Sequence, residues 1–206
     1  MLFKQLSTKW AKEICETAGE TDEYKIALTR YVFESILSFI LSFLVLFLAA
    51  WALGILKQAL IIGFTGAILK SFTGGLHMNT PLRCAVWGAV SLIAISYLSM
   101  MLPLASIPVA VVVVFLGVSN VIVWLKAPRE AHGKPLSDKQ KVVLGILSRI
   151  IILVISVIIL FRAKTLGMNE IFYGTVFHTF NLLDLTARGT EKLDNLFEKI
   201  EKTPVF

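Results

Sequence analysis

The sequence predicts an all-α integral membrane protein with about six transmembrane helices, an N-terminal and a C-terminal amphipathic helix, and both termini cytosolic. Three observations carry that prediction. Of 206 residues, 56% are hydrophobic and 17% charged, where soluble domains have roughly 45–50% and about a quarter. Mean hydropathy is +0.78. Three stretches, 35–55, 84–102 and 104–125, contain no charged residue, and each is close to the roughly 20 apolar residues a helix needs to cross a bilayer. No repeat of fixed period divides the chain, so residues 1–206 read as one domain: an interfacial segment at 1–30, a transmembrane bundle at 31–187 and a C-terminal helix at 188–206.

The first 30 residues do not read as a signal peptide, because no apolar run precedes Tyr31 and Glu13, Glu16, Glu20, Asp22 and Glu23 interrupt them. Leu2, Phe3, Leu6, Trp10 and Ile14 recur at helical spacing, which predicts an amphipathic helix lying on the membrane or packed as a cap on the bundle. Span one is 35–55. Span two, 55–73, is bounded by Lys57 and Lys70, whose stems can snorkel. Spans three and four are the other two uncharged stretches. Span five, 142–161, holds one charge, Arg149, and its branched run is too long for a buried strand. Span six, 171–187, carries His178, Asn181 and Asp184. Beyond it, Leu193, Leu196, Phe197 and Ile200 share one side of a last helix, open to the same two readings as the first.

With six spans, sixteen of the 20 Lys and Arg fall on the side of the termini and the loop 70–83, three fall opposite, and Arg149 lies within a span. The positive-inside rule then puts both termini and that loop in the cytosol. A net charge of +6 therefore orients the chain against anionic lipid and implies no nucleic-acid partner.

Cys15 and Cys84 both fall on the cytosolic side, where thiols stay reduced, so no disulfide is expected. Between Lys70 and Cys84, Gly74 and Gly75 are a natural stop for span two, and Thr80 followed by Pro81 supplies an N-cap and a first helical residue for span three. Cys84 then sits in the first turn, where the helix dipole and Arg83 put positive potential on the sulfur. His77 precedes Cys84 by seven positions. A continuous helix would separate them by roughly 10 Å, so they meet only if the chain bends, as Gly74, Gly75 and Pro81 allow. Two readings follow: a small packing Cys with a solvated His, or a nucleophile with its general base.

Gly74-Gly75-Leu76-His77, followed by Cys84 at the opening of an apolar helix, resembles the motif of the AgrB family, membrane cysteine endopeptidases of Gram-positive quorum sensing. The likeness extends to chain length, to the hydrophobic segments, and to the Pro-bracketed basic loop from Lys126 to Pro135. The resemblance implies Cys84 and His77 as catalytic residues and an AgrD-like propeptide as partner, cut at its acidic tail through a Cys84 thioester and released as a thiolactone or lactone. It also implies a homodimer in the cell membrane with its site facing the cytosol. The family often has arginine where this chain has Lys70, which keeps the charge and loses the bidentate fork. No cofactor is implied: the chain has no GxxxxGK[ST] loop, and His77, His132 and His178 have no metal-ligand spacing.

Supporting roles are more open. Free N–H groups at the start of span three are the expected oxyanion donors, with Gly74, Gly75 and Arg83 shaping the loop. Asn79 either orients His77 or competes as an N-cap. Lys70, Lys126, Arg129, Lys134 and Arg149 are candidate substrate contacts; the loop cations either draw an acidic tail or only set topology. Arg149, deep in a span, should face the interior, and either receives a carboxylate or pairs with Glu34 or Asp184 or snorkels. The stripe Thr175, His178, Asn181, Asp184 either lines a peptide groove or bonds span six to its neighbours. A small transporter is the rival from another class, but the two halves have no inverted-repeat signature.

Overall fold

The computed structural model describes residues 2–76, 78–130, 136–163 and 165–202. Among them the chain forms eight α-helices and no strand: α1 (Leu2–Thr17), α2 (Glu23–Ala52), α3 (Leu56–Thr73), α4 (Pro81–Met101), α5 (Val109–Lys126), α6 (Asp138–Arg162), α7 (Met168–Phe180) and α8 (Asp184–Lys202), with a single 3-10 turn at Leu104–Ser106. Four of these, α2, α4, α5 and α6, are long and apolar enough to cross a membrane.

The other two candidate spans, α3 and α7, are the centre of the bundle. α3 touches α2, α4, α6 and α7, while α7 touches α3, α4, α5 and α6. Each is surrounded by four other helices, and they carry Lys57, Gln58, Lys70 and His178, of which His178 is buried, while Phe64 and Ile68 keep one side of α3 exposed. The pair packs closely. A Cβ on Gly174 of α7 would lie 3.1 Å from the carbonyl oxygen of Ile62 on α3, and small residues are what let helices approach without a hydrophobic drive from lipid. At 13 residues, α7 is about 20 Å long.

Two expected boundaries move. α2 begins at Glu23, inside the segment 1–30, because Asp22 caps it by accepting from the Tyr24 N–H at 2.9 Å. α2 thereby extends past the apolar layer and receives α1, which packs on it with Ser7, Ala11 and Cys15 buried and Trp10 edge-on to Phe33 at 5.7 Å. The first helix thus packs on the bundle, with its Ile14 half exposed. Span six does not run to residue 187. Its helix ends at Phe180, where Asn181 is the C-cap, and Asp184 opens α8.

The loops gather at two ends. At one, Asn169 donates to the Ser99 carbonyl and accepts from the Leu104 N–H, and the Tyr173 hydroxyl donates to the Leu102 carbonyl. At the other, the turn after α3 meets the loop after α5: the Arg129 N–H donates to the Thr73 carbonyl at 2.8 Å, and its guanidinium donates to the Leu182 carbonyl at 2.7 Å. Cys84 lies at this second end.

Candidate active site

The local sequence fixes where Cys84 stands. α3 stops at Gly74, whose φ of 70° and ψ of −166° belong to a region open essentially to glycine. The reason is contact as well as conformation, since a Cβ there would lie 2.0 Å from the Arg129 carbonyl oxygen. α4 starts as its sequence dictates, with Thr80 as N-cap and Pro81 at the first helical position. Thr80 uses both its oxygens. Its hydroxyl accepts from the Arg83 N–H at 3.3 Å and its carbonyl from the Cys84 N–H at 3.1 Å. Pro81 has no N–H, so Leu82 has the one first-turn N–H without a hydrogen-bond partner among the described residues.

Around this turn the charges are ordered by position. Lys70, half-buried on the last turn of α3, donates from Nζ to the Leu76 carbonyl at 3.0 Å, and its stem packs on Gly75. Arg83 is turned elsewhere. Its guanidinium is buried and donates to Asp194 Oδ1 of α8 at 3.0 Å, while Asp194 Oδ2 accepts from the Asn79 N–H at 2.9 Å. The positive potential attributed to Arg83 from its place beside Cys84 is therefore paired with a carboxylate. His77 lies outside the described residues. Its neighbours are held on both sides: Leu76 by Lys70, and Asn79 by Asp194.

Behind the loop, His178 of α7 is buried and shares a 2.9 Å hydrogen bond between Nε2 and Thr73 Oγ1. Of the expected polar stripe, Thr175 and His178 lie on α7, Asn181 caps it, and Asp184 belongs to the next helix. Asp184 pairs with Lys126 and, at 3.6 Å, with Arg129, and not with Arg149. These ion pairs hold its carboxyl below the usual carboxylate range, chiefly through the Lys126 hydrogen bond. Glu130 is lowered likewise, by Lys141 at 2.9 Å. Lys126, Pro128, Arg129, Glu130, Lys141 and Asp184 line a polar cleft of about 430 Å³. Lys134 and His132 are outside the described residues.

Arg149 does not reach this end's carboxylates. Its guanidinium carbon lies 5.1 Å from the centroid of the Trp124 ring, and it donates to the Trp124 carbonyl at 3.5 Å. Lys70, Gly74, Gly75, Asn79, Arg83 and Cys84 are thus brought together, Lys126 and Arg129 stand on the adjoining loop, and Arg149 is apart on the α5–α6 face. Two participants were not singled out from sequence for this place: Thr73, a threonine in an apolar span, and Asp194, a single acidic residue among several in α8.

A family model described as Accessory gene regulator B (AgrB) matches residues 7–182. No curated protein and no solved structure matches the chain.

Proposed function

The chain belongs to the AgrB family, and from that premise we propose that it is a membrane cysteine endopeptidase that removes the C-terminal tail of an AgrD-like propeptide and passes the rest to a ring-closing nucleophile. On this reading α3 and α7 cross the membrane with the four longer helices, and the end bearing Cys84 faces the cytosol of a Gram-positive cell. The observation that carries it is the setting of Cys84: a half-exposed thiol in the first turn of α4, on a segment held at Leu76 by the Lys70 ammonium and at Asn79 by Asp194.

The chemistry follows from those groups. The Cys84 thiolate attacks the carbonyl between the central segment and the tail, and the oxyanion is received by the Leu82 N–H and the positive end of the α4 dipole. His77 protonates the departing amine as the C–N bond breaks, leaving a thioester on Cys84. A Cys or Ser within the bound peptide attacks that thioester, its proton passing to His77, and the ring leaves with Cys84 restored. Acyl reactivity is conserved in the exchange, so no nucleotide is consumed. The acidic tail is met by the cleft of Lys126, Arg129 and Lys141, where it competes with Asp184 and Glu130 for the same cations.

The test is to express wild type and Cys84→Ala in membranes with a candidate propeptide and follow its mass. Loss of the tail with wild type alone, and an adduct on Cys84, is the expected result. Equal processing by both proteins removes Cys84 from the mechanism.

A further inference from the structure

The last helix is held to the active-site segment by a polar anchor. α8 has an amphipathic sequence, yet of its apolar side Leu196 is exposed and Leu193 and Phe197 are only half-buried, and the buried residue among its described side chains is Asp194. A helix docked by the hydrophobic effect would bury leucine first. A carboxylate leaves water only where cations and N–H groups replace its hydration, and Asp194 has both. Oδ1 accepts from Arg83 Nη1 at 3.0 Å, Oδ2 accepts from the Asn79 N–H at 2.9 Å, and the Asp194 carbonyl accepts from Arg83 Nη1 at 3.3 Å.

The two donors are placed on either side of the Thr80 N-cap. Asn79 follows His77 by two residues, and Arg83 directly precedes Cys84. One carboxylate therefore ties together both flanks of the turn that must bend for residues 77 and 84 to meet. The family match ends at residue 182, before α8 begins, so this anchor is supplied from outside the matched region.

We propose that Asp194 is a positioning residue of the peptidase site, holding the Asn79 backbone and the Arg83 guanidinium so that the turn between His77 and Cys84 keeps one geometry. The proposal rests on the peptidase reading for its catalytic consequence, although the positioning itself does not. Asp194 touches no reacting atom; it acts through the backbone of the segment, and through Arg83, whose charge it pairs.

The test uses the full chain in lipid nanodiscs. Nitroxide labels are placed on Cys84 and on His77→Cys, in a Cys15→Ser background, and the label-to-label distance distribution is compared for wild-type Asp194, Asp194→Ala and Asp194→Glu. Asp194→Asn, which keeps the shape and loses the charge, replaces the alanine variant if that one fails to accumulate. In parallel, unlabelled proteins carrying the same Asp194 changes process a synthetic peptide with an amphipathic leader, a Cys-bearing centre and an acidic tail. The expected result is a broadened 77–84 distribution and a kcat lower by about 100-fold, the scale of a 1 Å misplacement, with KM little changed and partial recovery in Asp194→Glu. An unchanged distribution overturns the proposal whatever the activity. A broadened distribution with unchanged kcat overturns its catalytic part. If Cys84→Ala processes the peptide as well as wild type, the peptidase reading fails on its own, and the label distances still decide whether Asp194 positions the turn.

Discussion

Replacing Gly74 by alanine tests how the two loops of the site are joined. The glycine sits at φ 70° and ψ −166°, a region that costs a residue with a Cβ about 1–3 kcal/mol. The added carbon would also lie 2.0 Å from the Arg129 carbonyl oxygen, a backbone atom that cannot swing aside as a flexible side chain would. Relief requires the two strands of chain to part by more than an ångström, which breaks the 2.8 Å bond from the Arg129 N–H to the Thr73 carbonyl, worth about 1 kcal/mol. The expected cost is therefore about 2–4 kcal/mol, read by thermal unfolding in detergent micelles with circular dichroism. Two glycines calibrate it. Gly88 is inside α4 with nothing within 4 Å of its would-be Cβ, so Gly88→Ala should be neutral or stabilising by up to about 1 kcal/mol. Gly75→Ala meets first the flexible Lys70 stem, at 3.2–3.4 Å, and should cost less than Gly74→Ala. A Gly74→Ala protein that melts with the wild type, or a Gly88→Ala protein that loses as much, refutes the reasoning.

Thr73→Val keeps the shape of the side chain and leaves His178 Nε2 without its 2.9 Å partner in a buried site; a loss of about 1–3 kcal/mol is expected, and denaturation as stable as wild type would mean that water or another group already serves that nitrogen. The Asp184 carboxyl is held low by Lys126 and Arg129, so its contribution to stability is present above the ordinary carboxylate range and is lost as pH falls through the lowered value. The stability difference between wild type and Asp184→Asn should accordingly be largest near neutral pH, vanish in strong acid and shrink with added salt because the pair is exposed; a difference independent of pH would show that the ion pairs contribute nothing.

The helix ends that flank Cys84 were legible in the sequence because capping is local chemistry. Gly74 as a stop, Thr80 and Pro81 as a start, and Cys84 in the first turn all appear where residue type alone puts them. The partners across helices were not, since Thr73 meets His178 at a separation of 105 residues and Arg83 meets Asp194 at 111, and no local pattern encodes which of several polar residues is reached. The stripe from Thr175 to Asp184 failed for a related reason: a period of three says which face residues share only while the helix lasts, and α7 ends at Phe180.

The first helix packs by a rule that differs from that of soluble proteins. The residues it buries are Ser7, Ala11 and Cys15, while Ile14, one of the large residues at helical spacing, is half exposed. The same inversion recurs in α6, which buries Gly145, Ser148, Ile152, Ser156 and Ile159 while Ile146, Ile150, Leu153 and Val157 face outward. α4 repeats it with Ala85, Ala89, Ser96 and Ser99. In lipid, large apolar side chains gain nothing by turning inward, whereas small ones let helices approach and serines find carbonyl acceptors, as Ser148 does on Leu144 and Ser156 on Ile152. Reading small residues at spacings of three and four as the interior face puts α6 against α5 through Ser156, whose hydroxyl accepts from the Asn120 amide at 2.8 Å. By that rule the faces of the outer helices can be assigned from sequence, while the central pair, α3 and α7, is marked by the polar residues its spans carry, Lys70 and His178 among them.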